Sequence, residues 1–231
     1  MPPLSHPLPP PALSGCLPQS WLQPAIDALA SRLQLLHNTS GRPAVYTTLQ
    51  CYLIGAEEKL AATLARGAAH GVYPAVKLVR GAYMSAEQAH AKEMGFPSPL
   101  QASVQETAAA FDRCAAAAIK HHAPLVLATH NEQAVAGARA AIAAQGRGGE
   151  AASSCVFAQL FGMADSITYG LANDGYLTFK YLPFGPLETA VPYLLRRVEE
   201  NAAALGSGAR RELEQIAAEI RRRAMVRGGY P

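Results

Sequence analysis

Phe179-Lys180-Tyr181-Leu182-Pro183-Phe184-Gly185-Pro186, leading into Val191-Pro192-Tyr193-Leu194-Leu195-Arg196-Arg197-Val198-Glu199-Glu200-Asn201, decides how this chain is read. It spells a strand, a stiff turn and a helix that carries two adjacent arginines. At about 100° per residue, Val191, Leu194, Leu195, Val198, Ala202 and Leu205 gather on one side of that helix, and Tyr193, Arg196, Arg197 and Glu200 on the other. Pro192 lies in the first turn, where its missing N–H is harmless, and Gly206 stops the helix. Two guanidinium forks with an aromatic hydroxyl close by suit bidentate capture of a carboxylate. A solvated helix face, with Arg196 paired to Glu200 at i,i+4, is the other outcome open to the same residues.

Working outward, the strand-then-helix unit recurs. Trp21 to Leu36 is a helix with Leu22, Ile26, Leu29, Leu33 and Leu36 on one stripe, and Ala44 to Gln50 is the first strand. A helix through Glu57, Leu60 and Leu64 runs to Gly71, and Ala75 to Gly81 is the second strand. Ser85-Ala86-Glu87-Gln88 reads as a capping box for a short helix ending at Gly95. A longer helix follows with Val104, Ala108, Phe111, Ala115 and Ile119 inward. Leu125 to His130 is the third strand, with Asn131 capping the next helix, and Cys155 to Leu160 is the fourth. A short helix burying Met163, Ile167 and Leu171 precedes the fifth strand, Tyr176 to Leu182, and a helix from Arg210 to Arg223 finishes the chain. Such alternation predicts an α/β fold with parallel strands and helices outside.

Polar residues gather at the carboxyl ends of these strands: Gln50, Lys77 with Arg80, Thr129 with His130, Gln159 and Tyr181. In a βα-barrel those ends form the active face. Each residue also has a plainer reading: His130 as a hydrogen-bonded strand terminus, Lys77 as an edge residue, Gln159 as a cap for the next turn. No GxGxxG follows a strand, and no GxxxxGK[ST] loop or HExxH occurs, so a dinucleotide would not use a Rossmann turn.

Of the 231 residues, half are hydrophobic and 16% are charged, which predicts a sizeable core in one domain or, at most, two small ones. A net charge of +3 is too mild to imply nucleic acid, and Arg221-Arg222-Arg223 reads as a solvated helix end. Cys16, Cys51, Cys114 and Cys155 show neither CxxC nor metal-type spacing with histidine, and read as reduced thiols. No apolar run approaches the ~20 residues of a membrane-spanning helix. Seven of the first twenty residues are proline. Residues 1–19 are therefore expected to be an unstructured leader that supplies no strand or helix, with the domain occupying residues 20–231.

Gln23-Pro24-Ala25-Ile26-Asp27, Val45 to Leu53, Lys77-Leu78-Val79-Arg80-Gly81-Ala82-Tyr83, Ala128-Thr129-His130-Asn131, Phe157 to Met163, and Tyr193-Leu194-Leu195-Arg196-Arg197 through Glu200-Asn201 together strongly resemble the proline dehydrogenase family, in the wording of its plant and algal forms. The resemblance covers about Gln19 to Arg223 in unbroken order. It implies a distorted (β/α)8 TIM barrel with FAD at the carboxyl face. It also implies oxidation of L-proline to 1-pyrroline-5-carboxylate, a quinone electron acceptor, a mitochondrial location and peripheral association with the inner mitochondrial membrane. By motif position, Arg196 and Arg197 are similar to the substrate-carboxylate clamp, with Tyr181 and Tyr193 beside the ring and Leu160 as an apolar wall. Lys77 resembles the basic residue near the flavin, where a cation can stabilise a reduced anionic ring. Lys77 and Tyr181 are thus the expected catalytic residues. Gln50, Val79, Arg80, Gly81, Thr129, His130 and Glu200 match FAD-contacting positions.

Only about the last five strands of such a barrel are expected here. The family's first three strands have no counterpart, and Cys16, Leu17 and Pro18 stand where its strand-end DAE motif would be. The expectation is an incomplete barrel from a truncated or mis-started product, with a non-catalytic half-barrel as one alternative. A hydroxyproline dehydrogenase is the other, because a single hydroxyl is admitted or refused by small side-chain changes.

Overall fold

Short runs rich in Val, Leu and Thr alternate with longer stretches of helical periodicity, and in the computed structural model these become one parallel sheet and its covering helices. The structure describes residues 13–15, 20–39, 43–81, 83–145, 154–195 and 197, with isolated positions 214, 217, 218 and 221. The strands are β1 (Leu13–Gly15), β2 (Val45–Gln50), β3 (Val76–Val79), β4 (Leu125–Ala128), β5 (Cys155–Leu160) and β6 (Leu177–Tyr181). The helices are α1 (Gln23–His37), α2 (Ala56–His70), α3 (Met84–Met94), α4 (Val104–Lys120), α5 (Glu132–Ala144) and α6 (Asp165–Asn173). Residues 187–195 form a further helix, α7.

The strands pair in chain order, each parallel to its predecessor. Strands laid down in one direction by right-handed crossovers place their helices on one face. Leu49, Val76, Leu78, Leu125, Leu127 and Phe157 point to that face and pack against Phe111, Cys114 and Ala118 of α4 and Val135 and Ala138 of α5. The alternate set points the other way. In β3 and β4 every second residue is only half-buried, so Lys77, Val79, Val126 and Ala128 lie on an open face. Among the described residues β1 and β6 do not pair, and no helix is long and apolar enough to cross a membrane.

Several expectations are corrected. The sheet has six strands rather than five, because Leu13–Gly15 of the expected leader pairs with Val45–Thr47. Residues 12–16 hold no proline, so their N–H groups are available, and an edge strand needs pairing on one side only. Ser85 does not cap α3. It lies inside the first turn, and the N-cap is Tyr83, which makes no side-chain cap bond. Val104 is exposed at the start of α4, ahead of the point where that helix meets the sheet. In α6, Leu171 is buried, but Met163 and Ile167 are only partly covered.

The α1 leucine stripe is also not the buried face. Leu29 and Leu36 are exposed, whereas Gln23, Ala30 and Gln34 are buried. The Gln34 amide donates to the carbonyls of Val45 and Ala75, and the Asn38 amide to those of Val45 and Tyr73. Buried main-chain oxygens at the start of the strands need these partners, so amides displace leucines from the interface. The Asn131 cap is as expected: its Oδ1 accepts from the Ala134 amide at 2.8 Å. So are the helix ends at Gly71 and Gly95. Cys51, Cys114 and Cys155 are free and buried. Cys16, the Arg210–Arg223 helix as a unit and the stop at Gly206 lie outside the described residues.

Candidate active site

The carboxyl ends of β2 and β3 are extended by backbone pairing beyond the strands. The Cys51 amide donates to Val79 O at 2.9 Å and the Tyr52 amide to Arg80 O at 2.8 Å. Gly81 follows, with φ +135°, and a Cβ built on it would stand 1.8 Å from Tyr52 Cδ1. Glycine is therefore imposed twice, by its backbone conformation and by the ring packed on it. The chain then turns into α3 at Tyr83.

Five side chains converge above the open face. Lys77 Nζ, from β3, stands 5.9 Å from the ring centroid of Tyr181 at the end of β6. The Tyr181 ring lies 6.0 Å from that of Tyr193 on α7, tilted by 53°. The Arg197 guanidinium carbon is 4.5 Å from the Tyr83 ring and 5.2 Å from the Tyr193 ring, and Arg197 is 8% exposed. Burial, with Tyr181 beside it, pushes the Tyr193 phenol up to about 12, although Arg197 pulls the other way. Aromatic rings flanking a guanidinium hold it by cation–π attraction and fix its plane, the geometry from which an N–H fork meets a carboxylate.

Of the expected site residues, Lys77, Tyr181, Tyr193 and Arg197 are brought together. Leu160 pairs across the ladder with Tyr181 and is half-buried on the same face. Gln50 and Val79 are cross-strand partners in a row continued by Ala128, Ala158 and Phe179. Thr129 is buried and its Oγ1 accepts from the Asn131 amide, while His130 Nε2 accepts from the Leu160 amide at 3.0 Å. The His130 side chain thereby ties the end of β4 to β5 at the mouth. Arg80 is half-buried and contributes its carbonyl to the Tyr52 pairing. Gln159 points to the helix side, donating to Thr129 O and accepting from Thr168 Oγ1. Arg196 and Glu200 lie outside the described residues.

Of the two outcomes the sequence left open for α7, the one with Arg197 turned inward is found. Val191, Leu194 and Leu195 are exposed, and Tyr193 and Arg197 face the sheet. Tyr83 is the participant that sequence reasoning missed. An aromatic residue two positions after a strand-end glycine was the available signal.

The row Gln50–Val79–Ala128–Ala158 tests whether the open face suits a flavin. Its three inner members are small, leaving a shallow apolar shelf, with the buried Gln50 amide at one end and Lys77 and Tyr181 at its margin. A flat ring system needs this combination of apolar floor and edge-on polar partners. The residues present fit the group.

Fold and site together define a partial (β/α)8 barrel with an arginine–tyrosine cluster at the carboxyl ends of its strands. The proline dehydrogenase family model matches residues 19–210, and the chain belongs to that family. It is 38% identical over 213 residues to proline dehydrogenase 1, mitochondrial, of Arabidopsis thaliana, covering 89% of this chain and 42% of that protein. To hydroxyproline dehydrogenase of Bos taurus it is 36% identical over 215 residues, 90% of this chain and 46% of that one. The chain thus spans less than half the length of these curated relatives. Among solved structures, proline utilization A from Bdellovibrio bacteriovorus superposes with a TM-score of 0.74 at 24% identity, over 82% of this chain and 20% of that one. Proline utilization A with proline bound in remote sites gives 0.66 at 26%, over 77% and 18%.

Proposed function

We propose that this chain carries the substrate side of an FAD-dependent oxidation of L-proline to 1-pyrroline-5-carboxylate, with electrons passed to quinone. The observation that carries this is Arg197, buried between the rings of Tyr83 and Tyr193 over the open sheet face. The substrate carboxylate pairs with the Arg197 fork, beside which the sequence places Arg196. Tyr181, Tyr193 and Leu160 then confine the pyrrolidine ring, so its orientation is set before any bond changes. Gln50, Val79 and Gly81 line the shelf that would hold the isoalloxazine ring, and Lys77 supplies a positive charge at its margin. When bound, a flavin would accept the two electrons that leave with the hydrogen of the ring carbon beside nitrogen, the N–H losing a proton as C–N becomes C=N. Because relatives carry "mitochondrial" in their names, the proposed setting is the mitochondrion, with peripheral attachment to the inner membrane.

The test is purified protein assayed for flavin absorbance and for proline-dependent reduction of a quinone. Arg197→Ala is expected to raise the proline KM about 10²-fold, since a charge-assisted bond contributes about 2–3 kcal/mol. Unchanged KM refutes the clamp, and protein without flavin or turnover favours a non-catalytic half-barrel. The 36% identity to a hydroxyproline dehydrogenase supports 4-hydroxyproline as a second substrate reading. Comparing kcat/KM for the two substrates decides between them.

A further inference from the structure

Glu87, one turn into α3, is 1% exposed, and a carboxyl group so buried must be hydrogen-bonded. Its partner is 67 residues away. The Ser20 amide donates to Oε1 at 2.7 Å and the Ser20 hydroxyl to Oε2 at 2.6 Å. Three residues further along the same helix, the His90 ring lies against Trp21, tilted by 36° with centroids 3.8 Å apart. The approach to α1 is therefore clasped along one face of α3 by two successive contacts.

This clasp reaches the site through one residue. The Glu87 amide donates to the Tyr83 carbonyl at 3.0 Å, closing the first turn of α3. Tyr83 caps that turn without a side-chain bond of its own, so the turn relies on tertiary contacts to stay closed. Upstream, Gly81 packed on Tyr52 fixes the other approach to Tyr83. Held from both sides, the Tyr83 ring stands 4.5 Å from the Arg197 guanidinium carbon.

We propose that Glu87 is a positioning residue of the Arg197 clamp: by binding Ser20 it fixes the first turn of α3, and with it the ring against which Arg197 is held. The proposal rests on the reading of Arg197 as the carboxylate clamp. Glu87→Ala removes both acceptors. Glu87→Gln keeps one carbonyl acceptor and offers an amide to the Ser20 hydroxyl, which can turn to accept.

The test uses the full chain in wild-type, Glu87→Ala, Glu87→Gln and Arg197→Ala forms, with two readouts. For L-proline, Glu87→Ala raises KM about 10-fold while kcat stays within about two-fold, and Glu87→Gln stays within about two-fold of wild type in both. In hydrogen exchange, Glu87→Ala speeds the amides of residues 187–195 together with those of α3, and leaves α5 unchanged. A Glu87→Ala protein of lower Tm with unchanged proline KM, or with faster exchange confined to α3, overturns the proposal, since a purely structural role gives that pattern. If Arg197→Ala leaves proline affinity unchanged, the clamp reading fails instead, and the exchange readout still decides whether Glu87 positions α7.

Discussion

Replacing Gly81 with alanine puts the packing of the β3–α3 connection to a direct test. The added Cβ would stand 1.8, 2.2 and 2.5 Å from Tyr52 Cδ1, Cγ and Cε1, at a residue with φ +135°. The backbone conformation alone costs an L-residue about 1–3 kcal/mol. The Tyr52 ring is 1% exposed and packs with Leu53 and Leu100, so moving it adds an overpacking cost of about 1–3 kcal/mol. A total near 4 kcal/mol is a large share of the 5–15 kcal/mol that holds a typical domain folded. With a urea m-value of about 2 kcal/mol/M, the midpoint falls by about 2 M, measured by far-UV circular dichroism. Pairing Gly81→Ala with Tyr52→Ala should return the ring-dependent share but not the backbone share, so the double-mutant cycle shows a coupling of about 1–3 kcal/mol. A single-variant loss below about 1 kcal/mol would refute the packing account.

Burial raises Tyr193 from 10.0 to about 12 in the fold, so the unfolded chain ionises first as pH climbs and stability drops between pH 10 and 12; Tyr193→Phe should flatten that drop in urea titrations at each pH. Asn131→Ala removes the cap on α5 and lowers stability by about 1 kcal/mol, read as a Tm shift, whereas Asn131→Ser restores most of it. The Cys155 thiol is raised to about 12 by burial, so Ellman's reagent at pH 8 should label it only after denaturant is added. Labelling at the rate of a free peptide thiol would contradict its buried placement.

The strand-helix alternation was legible because its signals are local. Cys155–Leu160 appears with the bounds its apolar run suggests, and Asn131 caps the helix it precedes. What failed required knowledge of neighbours. The α1 leucines repeat with helical period, but the period says only that a face is apolar, not that something covers it. Gln34 and Asn38 win the sheet side because they answer carbonyls supplied by β2 and by residues 73–75, a pairing no window of α1 contains. Leu13–Gly15 escaped notice in the same way, since a three-residue strand has no periodicity and exists through its partner Val45–Thr47.

At α7 the sequence allowed two outcomes, and the packing decides between them. An amphipathic helix is read by assuming water on its charged side and a core on its apolar side. Here the polar side meets the open sheet face, where Tyr83, Tyr193 and Lys77 give Arg197 and Tyr181 partners, so guanidinium burial is offset by cation–π contact. Leu194 and Leu195 are then directed away from it by the same geometry that brings Tyr193 and Arg197 in. The residues that betray a site are thus the ones whose burial contradicts their polarity. Arg197 at 8% exposure beside leucines at 44% and 57% is that contradiction, and it becomes visible only once α7 has been placed over the mouth formed by β3 and β6.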